Sequence, residues 1–89
     1  MKIEVTQDHI DTGLRRNCHQ CPVALAISDV FPGSRVNVGG VDVDIVQPDF
    51  TEIYFCLPEK VEYFIMHFDR GLTVKPFTFA VEPKEGENA

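Results

Sequence analysis

The chain has 89 residues, of which 44% are hydrophobic and 25% are charged, and this composition is typical of one globular domain rather than of a disordered or membrane-embedded chain. The formal net charge of -6 opposes binding to the nucleic-acid backbone, so we do not expect general DNA or RNA binding. The start of the sequence has no apolar run that suits a secretory signal or a membrane span, which predicts a cytoplasmic protein. We expect one compact domain over residues 1–82 and a flexible tail over 83–89, where apolar anchors are lacking.

The first two predicted elements are a strand over Lys2–Val5 and a helix over Gln7–Thr12. The strand alternates polar and apolar residues. Thr6 is a good N-cap for the helix, because its hydroxyl can accept a backbone N–H of the first turn. We expect Gly13 to end the helix in the left-handed conformation, which glycine adopts without steric cost.

A loop over residues 14–20 precedes the second predicted helix, which begins at Pro22 and runs to about Phe31. Proline is favoured as the first helical residue, because the N–H that it lacks would have had no partner there. Apolar residues at helical spacing predict one buried stripe along this helix. The members of the stripe are Val23, Ala26, Ile27, Val30 and Phe31.

Two alternating segments, Arg35–Val38 and Val41–Ile45, predict a β-hairpin. Gly39 and Gly40 stand between them and suit a two-residue turn in which both residues have positive φ. This turn would place Val38 opposite Val41, with the valines on one apolar face.

Three more elements complete the predicted fold: a strand over Glu52–Leu57, a helix that begins at Pro58 and a strand over Phe77–Val81. The buried stripe of the helix is expected to contain Val61, Phe64, Ile65, Phe68 and Leu72. The element order β-α-α-β-β-β-α-β predicts an α+β fold, in which a small and mostly antiparallel sheet carries the helices on one face.

Cys18 and Cys21 form a Cys-x-x-Cys motif at the entry to the second helix. Two thiolates at this spacing can bind one tetrahedral zinc ion, or the helix N-terminus can lower the pKa of the second thiol for disulfide exchange. A structural zinc needs four ligands, and the remaining cysteine and histidines form no second close pair, so zinc is a possible cofactor rather than an expected one. The alternative is that both cysteines are partly buried loop and cap residues.

A second group of candidate site residues contains Arg15, Arg16 and Asn17, with Arg35 as a candidate neighbour. Arginine forks near a helix N-terminus can hold the phosphate of a small ligand. The alternative is a solvated loop whose arginines pair with surface carboxylates. The sequence shows no arrangement typical of a catalytic centre, so binding is favoured over catalysis and the question of an enzyme stays open.

Two stretches resemble small uncharacterised accessory proteins of bacteriophages and prophages. They are Cys21-Pro22-Val23-Ala24-Leu25-Ala26-Ile27 and the segment from Phe64 through Phe68-Asp69-Arg70-Gly71 to Phe79, and together they cover less than half of the chain. The resemblance implies a shared fold and a phage context, and it supplies no catalytic residue. Small phage accessory proteins commonly block a host protein or sequester a host signal molecule.

The resulting expectation is a small non-catalytic binding protein in the host cytoplasm. Its partner would be a host protein or a phosphorylated small ligand held at the arginines. A homo-oligomer would suit the phosphorylated ligand, because a single chain this small has little room for a deep pocket and the ligand would bind across the oligomer interface. The alternative function is a zinc-stabilised or thiol-active domain that uses Cys18 and Cys21.

Overall fold

The computed structural model describes residues 1–85, which form three helices and six strands and confirm the predicted α+β class. The order is β-α-α-β-β-β-α-β-β, so the predicted order is confirmed with one strand added at its end. The strands are β1 (Lys2–Val5), β2 (Arg35–Val38), β3 (Asp42–Val46), β4 (Glu52–Cys56), β5 (Phe77–Ala80) and β6 (Lys84–Glu85). The helices are α1 (Gln7–Thr12), α2 (Pro22–Val30) and α3 (Glu59–Asp69).

The strands form two antiparallel sheets, whereas the sequence predicted one. The first and last predicted strands pair with each other as β1-β5, and the other sheet has the order β2-β3-β4-β6. Helix α2 contacts both β1 and β2 and so lies against both sheets. Its Val23, Ala24 and Ile27 are fully buried, and the inward residues of both sheets belong to the same hydrophobic core.

The end of the chain differs from the predicted flexible tail over 83–89. Lys84 and Glu85 pair with Tyr54 and Ile53 of β4 as a short edge strand. An open sheet edge offers backbone hydrogen bonds to any extended segment, and composition does not reveal such ordering. Positions 86–89 lie outside the described residues.

The turn of the β2-β3 hairpin lies one position later than predicted, and the partner of each β2 residue on β3 therefore lies two positions later than the expected register gave. Val38 lies opposite Val43, and the Gly39 N–H donates to the Asp42 carbonyl at 2.8 Å, so Gly40 and Val41 form the turn. Neither Gly39 nor Gly40 has a positive φ. The partners shift by an even number of residues, so Val36, Val38, Val43 and Ile45 are still buried, whereas Val41 lies in the turn and is 59% exposed.

Gly13 ends α1 as predicted, but for a different physical reason. Its φ is -70° and its ψ is 155°, which is an extended conformation open to any residue. A Cβ at this position would lie 2.7 Å from Cδ of Pro22 and 2.8 Å from the carbonyl oxygen of His9. Glycine is therefore required because the end of α1 touches the first residue of α2.

The β3-β4 hairpin has a strained tip. The Phe50 N–H donates to the Gln47 carbonyl and the Gln47 N–H donates to the Thr51 carbonyl, at 2.8 and 2.9 Å. Phe50 has a φ of 68°, in the left-handed region that costs roughly 1–2 kcal/mol for a residue with a side chain. The Thr51 N–H donates to Oδ1 of Asp49 at 2.9 Å, and this hydrogen bond lowers the pKa of that carboxyl group.

Candidate functional site

Two adjacent surface pockets lie along helix α3, beside the β2-β3 turn and the loop before α2. We call them together the α3 groove. One part has a volume of about 610 Å³ and is lined by Gly40, Glu59, Glu62, Tyr63, Ile65 and Met66. A narrower part of about 240 Å³ is lined by Arg16, Asn17, Cys18, Cys21, Val38, Gly39, Gly40, Ile65 and Asp69. Gly40 and Ile65 line both parts, so the two parts are adjacent and we treat them as one surface.

The burial pattern of α3 determines which of its side chains line the groove. Val61, Phe64 and Phe68 are buried in the core. Residues three or four apart lie on the same side of a helix, so this stripe leaves Tyr63 and Met66 together on the opposite side. Both are exposed, Tyr63 to 51%, and they give the groove an apolar surface that no described residue covers.

Carboxylates dominate the charge of the groove. Within residues 1–85 its lining contains three carboxylates, from Glu59, Glu62 and Asp69, and a single guanidinium group from Arg16. Asp69 also accepts a hydrogen bond from the backbone N–H of Arg16, with 2.9 Å between Oδ1 and N. The groove therefore favours a cationic ligand over an anionic one.

The structure brings together only part of the predicted phosphate-binding group. Arg16 and Asn17 line the narrow part of the groove. Arg15 lies elsewhere, with its guanidinium carbon 3.4 Å from the position that a Cβ on Gly71 would occupy. Arg35 is the first residue of β2, roughly 10 Å along the strand from Val38 at the groove.

The loop before α2 uses many of its backbone donors internally. Oδ1 of Asn17 accepts the N–H groups of His19 and Gln20 at 3.0 and 2.9 Å. The N–H of Leu14 donates to the Gln20 carbonyl, and the N–H of Cys21 donates to the Asn17 carbonyl. A phosphate cradle needs such donors free and pointing at the ligand, so the loop is poorly arranged for one.

The two cysteines of the motif have different environments. Cys21 is the N-cap of α2, and its Sγ accepts the Ala24 N–H at 3.4 Å. Burial raises the pKa of the Cys21 thiol, and the opposing hydrogen bond from Ala24 does not cancel this effect. Cys18 and Cys56 are exposed free thiols. Disulfide exchange through a lowered pKa of the second thiol was one role open to this motif, and the structure does not favour it, because desolvation outweighs the hydrogen bonds from the helix N-terminus.

The candidate zinc ligands do not form a complete metal site among the described residues. Among residues 1–85, no group of three or more histidine, cysteine, aspartate and glutamate side chains is placed to hold a metal ion. Nδ1 of His19 instead lies 2.8 Å from the carbonyl oxygen of Val36, within hydrogen-bond distance. Cys56 lies opposite Asp42 in the sheet. His67 is exposed on α3.

We expect the thiols to react at very different rates. In the native protein Cys18 and Cys56 should react rapidly with dithionitrobenzoate, because both are exposed. Cys21 should react only after unfolding, because its thiol is buried and protonated at neutral pH. Stopped-flow absorbance of the native and denatured protein measures this, with Cys21→Ala as the control that removes the slow thiol alone. Three thiols that react equally fast in the native protein would contradict the assignment.

A contact between the first two helices was not expected from the sequence. Nδ1 of His9 accepts the Thr6 N–H at 3.0 Å, and Nε2 lies 2.6 Å from Oδ2 of Asp29. Since Nδ1 is an acceptor, the ring proton of neutral His9 is on Nε2 and donates to Asp29. Thr6 and His9 form a capping box in which histidine takes the position usually held by glutamate or glutamine, so the usual sequence signature does not reveal it.

The geometry of the contacts around His9 indicates a structural role rather than a catalytic one. Oγ1 of Thr6 lies 3.1 Å from Nδ1, which places an aspartate, a histidine and a hydroxyl in one chain of contacts. However, Nδ1 already accepts the Thr6 backbone N–H, and Oγ1 of Thr6 accepts the His9 backbone N–H at 3.3 Å. Both groups that would have to exchange a proton are engaged in capping α1.

Comparisons of the chain with protein-family models, with curated proteins and with solved structures found no match. In the described part of the chain, no helix is both long enough and apolar enough to cross a membrane. The function therefore has to be inferred from the geometry and chemistry of the α3 groove.

Proposed function

We propose that this protein is a non-catalytic binding protein that engages a partner protein through the α3 groove. The observation that carries the proposal is the exposed apolar surface of Tyr63 and Met66, which line the same part of the groove as the carboxylates of Glu59 and Glu62. Tyrosine is enriched among the residues that dominate binding energy at protein interfaces, and methionine is enriched at interfaces generally. A partner segment that presents apolar and basic side chains would match this surface.

The charges of the groove favour a protein partner over a phosphorylated small ligand. A phosphate would meet three carboxylates and one arginine among the described lining residues. Like charges placed against each other cost several kcal/mol of binding free energy at an interface. A lysine or arginine of a partner would instead gain from Glu59, Glu62 and Asp69, and the net charge of -6 would accelerate its approach.

The resemblance to phage accessory proteins supports a host protein as the partner and the host cytoplasm as the place of action. In that role the protein would occupy or block a surface of the host protein, and binding alone would be sufficient for function.

Site-specific photo-crosslinking in the cells that contain the protein tests this proposal. A photoreactive phenylalanine analogue replaces Tyr63 in one variant and Tyr54 in a matched control. Tyr54 is also an exposed tyrosine, at 42%, but it lies on β4 and outside the groove. We expect the probe at position 63 to form an adduct with one defined protein other than this chain, and the probe at position 54 not to form that adduct.

The same proteins can be tested for phosphorylated ligands. Titration with nucleoside mono-, di- and triphosphates in a calorimeter is expected to give no heat of binding. A tightly bound nucleotide, together with no protein adduct at position 63, would replace the proposed function with the small-ligand alternative.

A further inference from the structure

A separate surface pocket lies between α3 and the segment that leads into β5. We call it the basic recess. It has a volume of about 370 Å³ and is lined by Lys60, Tyr63, Phe64, His67 and Thr73–Phe77. The four α3 residues are spaced three or four positions apart, so they follow one side of the helix. The recess shares only Tyr63 with the α3 groove, so ligand binding there does not depend on the proposed function.

The charge of the basic recess is opposite to that of the α3 groove. Within residues 1–85 its lining contains two lysines and one histidine, and no carboxylate. The whole chain has 14 acidic residues and only 8 lysines and arginines, so this local excess of positive charge runs against the composition. In the described part of the chain the one ion pair joins His9 to Asp29, and neither Lys60 nor Lys75 is paired with a carboxylate there. The recess therefore attracts an anion.

Lys60 is held against the aromatic part of the recess. Its Nζ donates to the Thr78 carbonyl at 2.7 Å and lies 6.0 Å from the centroid of the Phe77 ring. That ring packs against Phe64, with 4.7 Å between the two centroids. A lysine ammonium group has three N–H donors, so two remain after the bond to Thr78. A charged group that is already positioned loses less conformational entropy when a ligand binds.

We propose that the basic recess binds a small aromatic carboxylate. Lys60 and Lys75 would attract the carboxylate, and the ring of the ligand would pack against Tyr63 and Phe77. The volume lies at the lower end of the range for small-ligand sites, roughly 300–1,000 Å³, which suits one ring with a short acidic chain. Phosphate is most often bound by arginine forks, and the described lining contains no arginine. A carboxylate is therefore the expected anion.

An NMR titration of the ¹⁵N-labelled protein with sodium phenylacetate tests this site. We expect saturable shifts at the amides of Thr73, Val74 and Lys75, with a Kd of roughly 5 mM or tighter for a ligand of this size. Acetate lacks the ring and phenethylamine carries the opposite charge, so both should bind at least about fivefold more weakly. The absence of saturable shifts at these amides, or equal binding of phenethylamine, would overturn the proposal.

Charge-removing variants show whether the lysines attract the ligand. Lys75 is exposed, so Lys75→Gln should fold normally, and we expect it to raise the Kd for phenylacetate about threefold. Adding Lys60→Gln should raise the Kd further. Lys2→Gln is the matched control, because it removes an exposed lysine of β1 that lies outside the recess, and it should leave the Kd unchanged. Equal affinities for Lys75→Gln and Lys2→Gln would refute the assigned site.

Discussion

Replacing Gly13 with alanine is expected to destabilise the protein by about 3 kcal/mol, the upper end of the usual range for forcing atoms into a packed site. The new Cβ would lie 2.7 Å from Cδ of Pro22 and 2.8 Å from the His9 carbonyl oxygen. Neither neighbour can move easily, because one belongs to a fixed ring and the other to the backbone of α1. Urea unfolding followed by circular dichroism would measure the change in the free energy of unfolding.

Gly40→Ala is the matched control for this substitution. A Cβ at Gly40 would have no atom within 4 Å, and its φ is not positive. We expect the control to change stability by less than about 0.5 kcal/mol. If both variants were equally stable, α1 would not pack against the first residue of α2 as described.

Ile27→Ala should cost about 2–5 kcal/mol of unfolding free energy, the range found for truncating large buried aliphatic side chains. Ile27 is fully buried on α2, the helix that contacts both sheets. The substitution would therefore leave a cavity at the place where α2 packs against both sheets. For a domain of this size a loss of 1 kcal/mol lowers Tm by roughly 4–8 °C, so calorimetry should show a large shift.

Val30→Ala on the same helix provides the comparison. Val30 lies in the last turn of α2 and is 41% exposed, so truncation removes little buried surface. Alanine is also the better helix former. A Tm change for Val30→Ala as large as that for Ile27→Ala would mean that α2 presents a different face to the core.

Local signals predicted the helices and strands well, because each depends on residues close in sequence. Thr6 caps α1, Pro22 begins α2, and the alternation at Arg35–Val38 forms β2, all as expected. The two-sheet arrangement and the pairing of β6 depend on backbone contacts between distant segments, which periodicity does not encode. Leu72, predicted to be buried, is exposed because it follows Gly71, where the chain turns with a φ of 77°.

The candidate site was predictable only in part. The sequence singled out Arg16, Asn17, Cys18 and Cys21, and all four line the narrow part of the α3 groove. Arg15 was grouped with Arg16 and Asn17, and Arg35 was a candidate neighbour, but neither lines the groove, because spacing along the chain does not determine which side chains converge. Tyr63 and Met66 were missed, since helical periodicity identifies the buried face and says nothing about a neighbouring turn that makes the exposed face a groove.

The central claim is that the α3 groove binds a partner protein, and the most direct test is the affinity for the protein crosslinked at position 63. Isothermal titration calorimetry would compare wild type with Tyr63→Ala and with the control Tyr54→Ala, after circular dichroism and Tm confirm that each variant is folded. We predict that Tyr63→Ala raises Kd at least about tenfold, corresponding to roughly 1.4 kcal/mol. Tyr54→Ala should leave Kd within about twofold of wild type, less than 0.5 kcal/mol. Equal affinities for wild type and a folded Tyr63→Ala would contradict the claim that the partner binds in this groove.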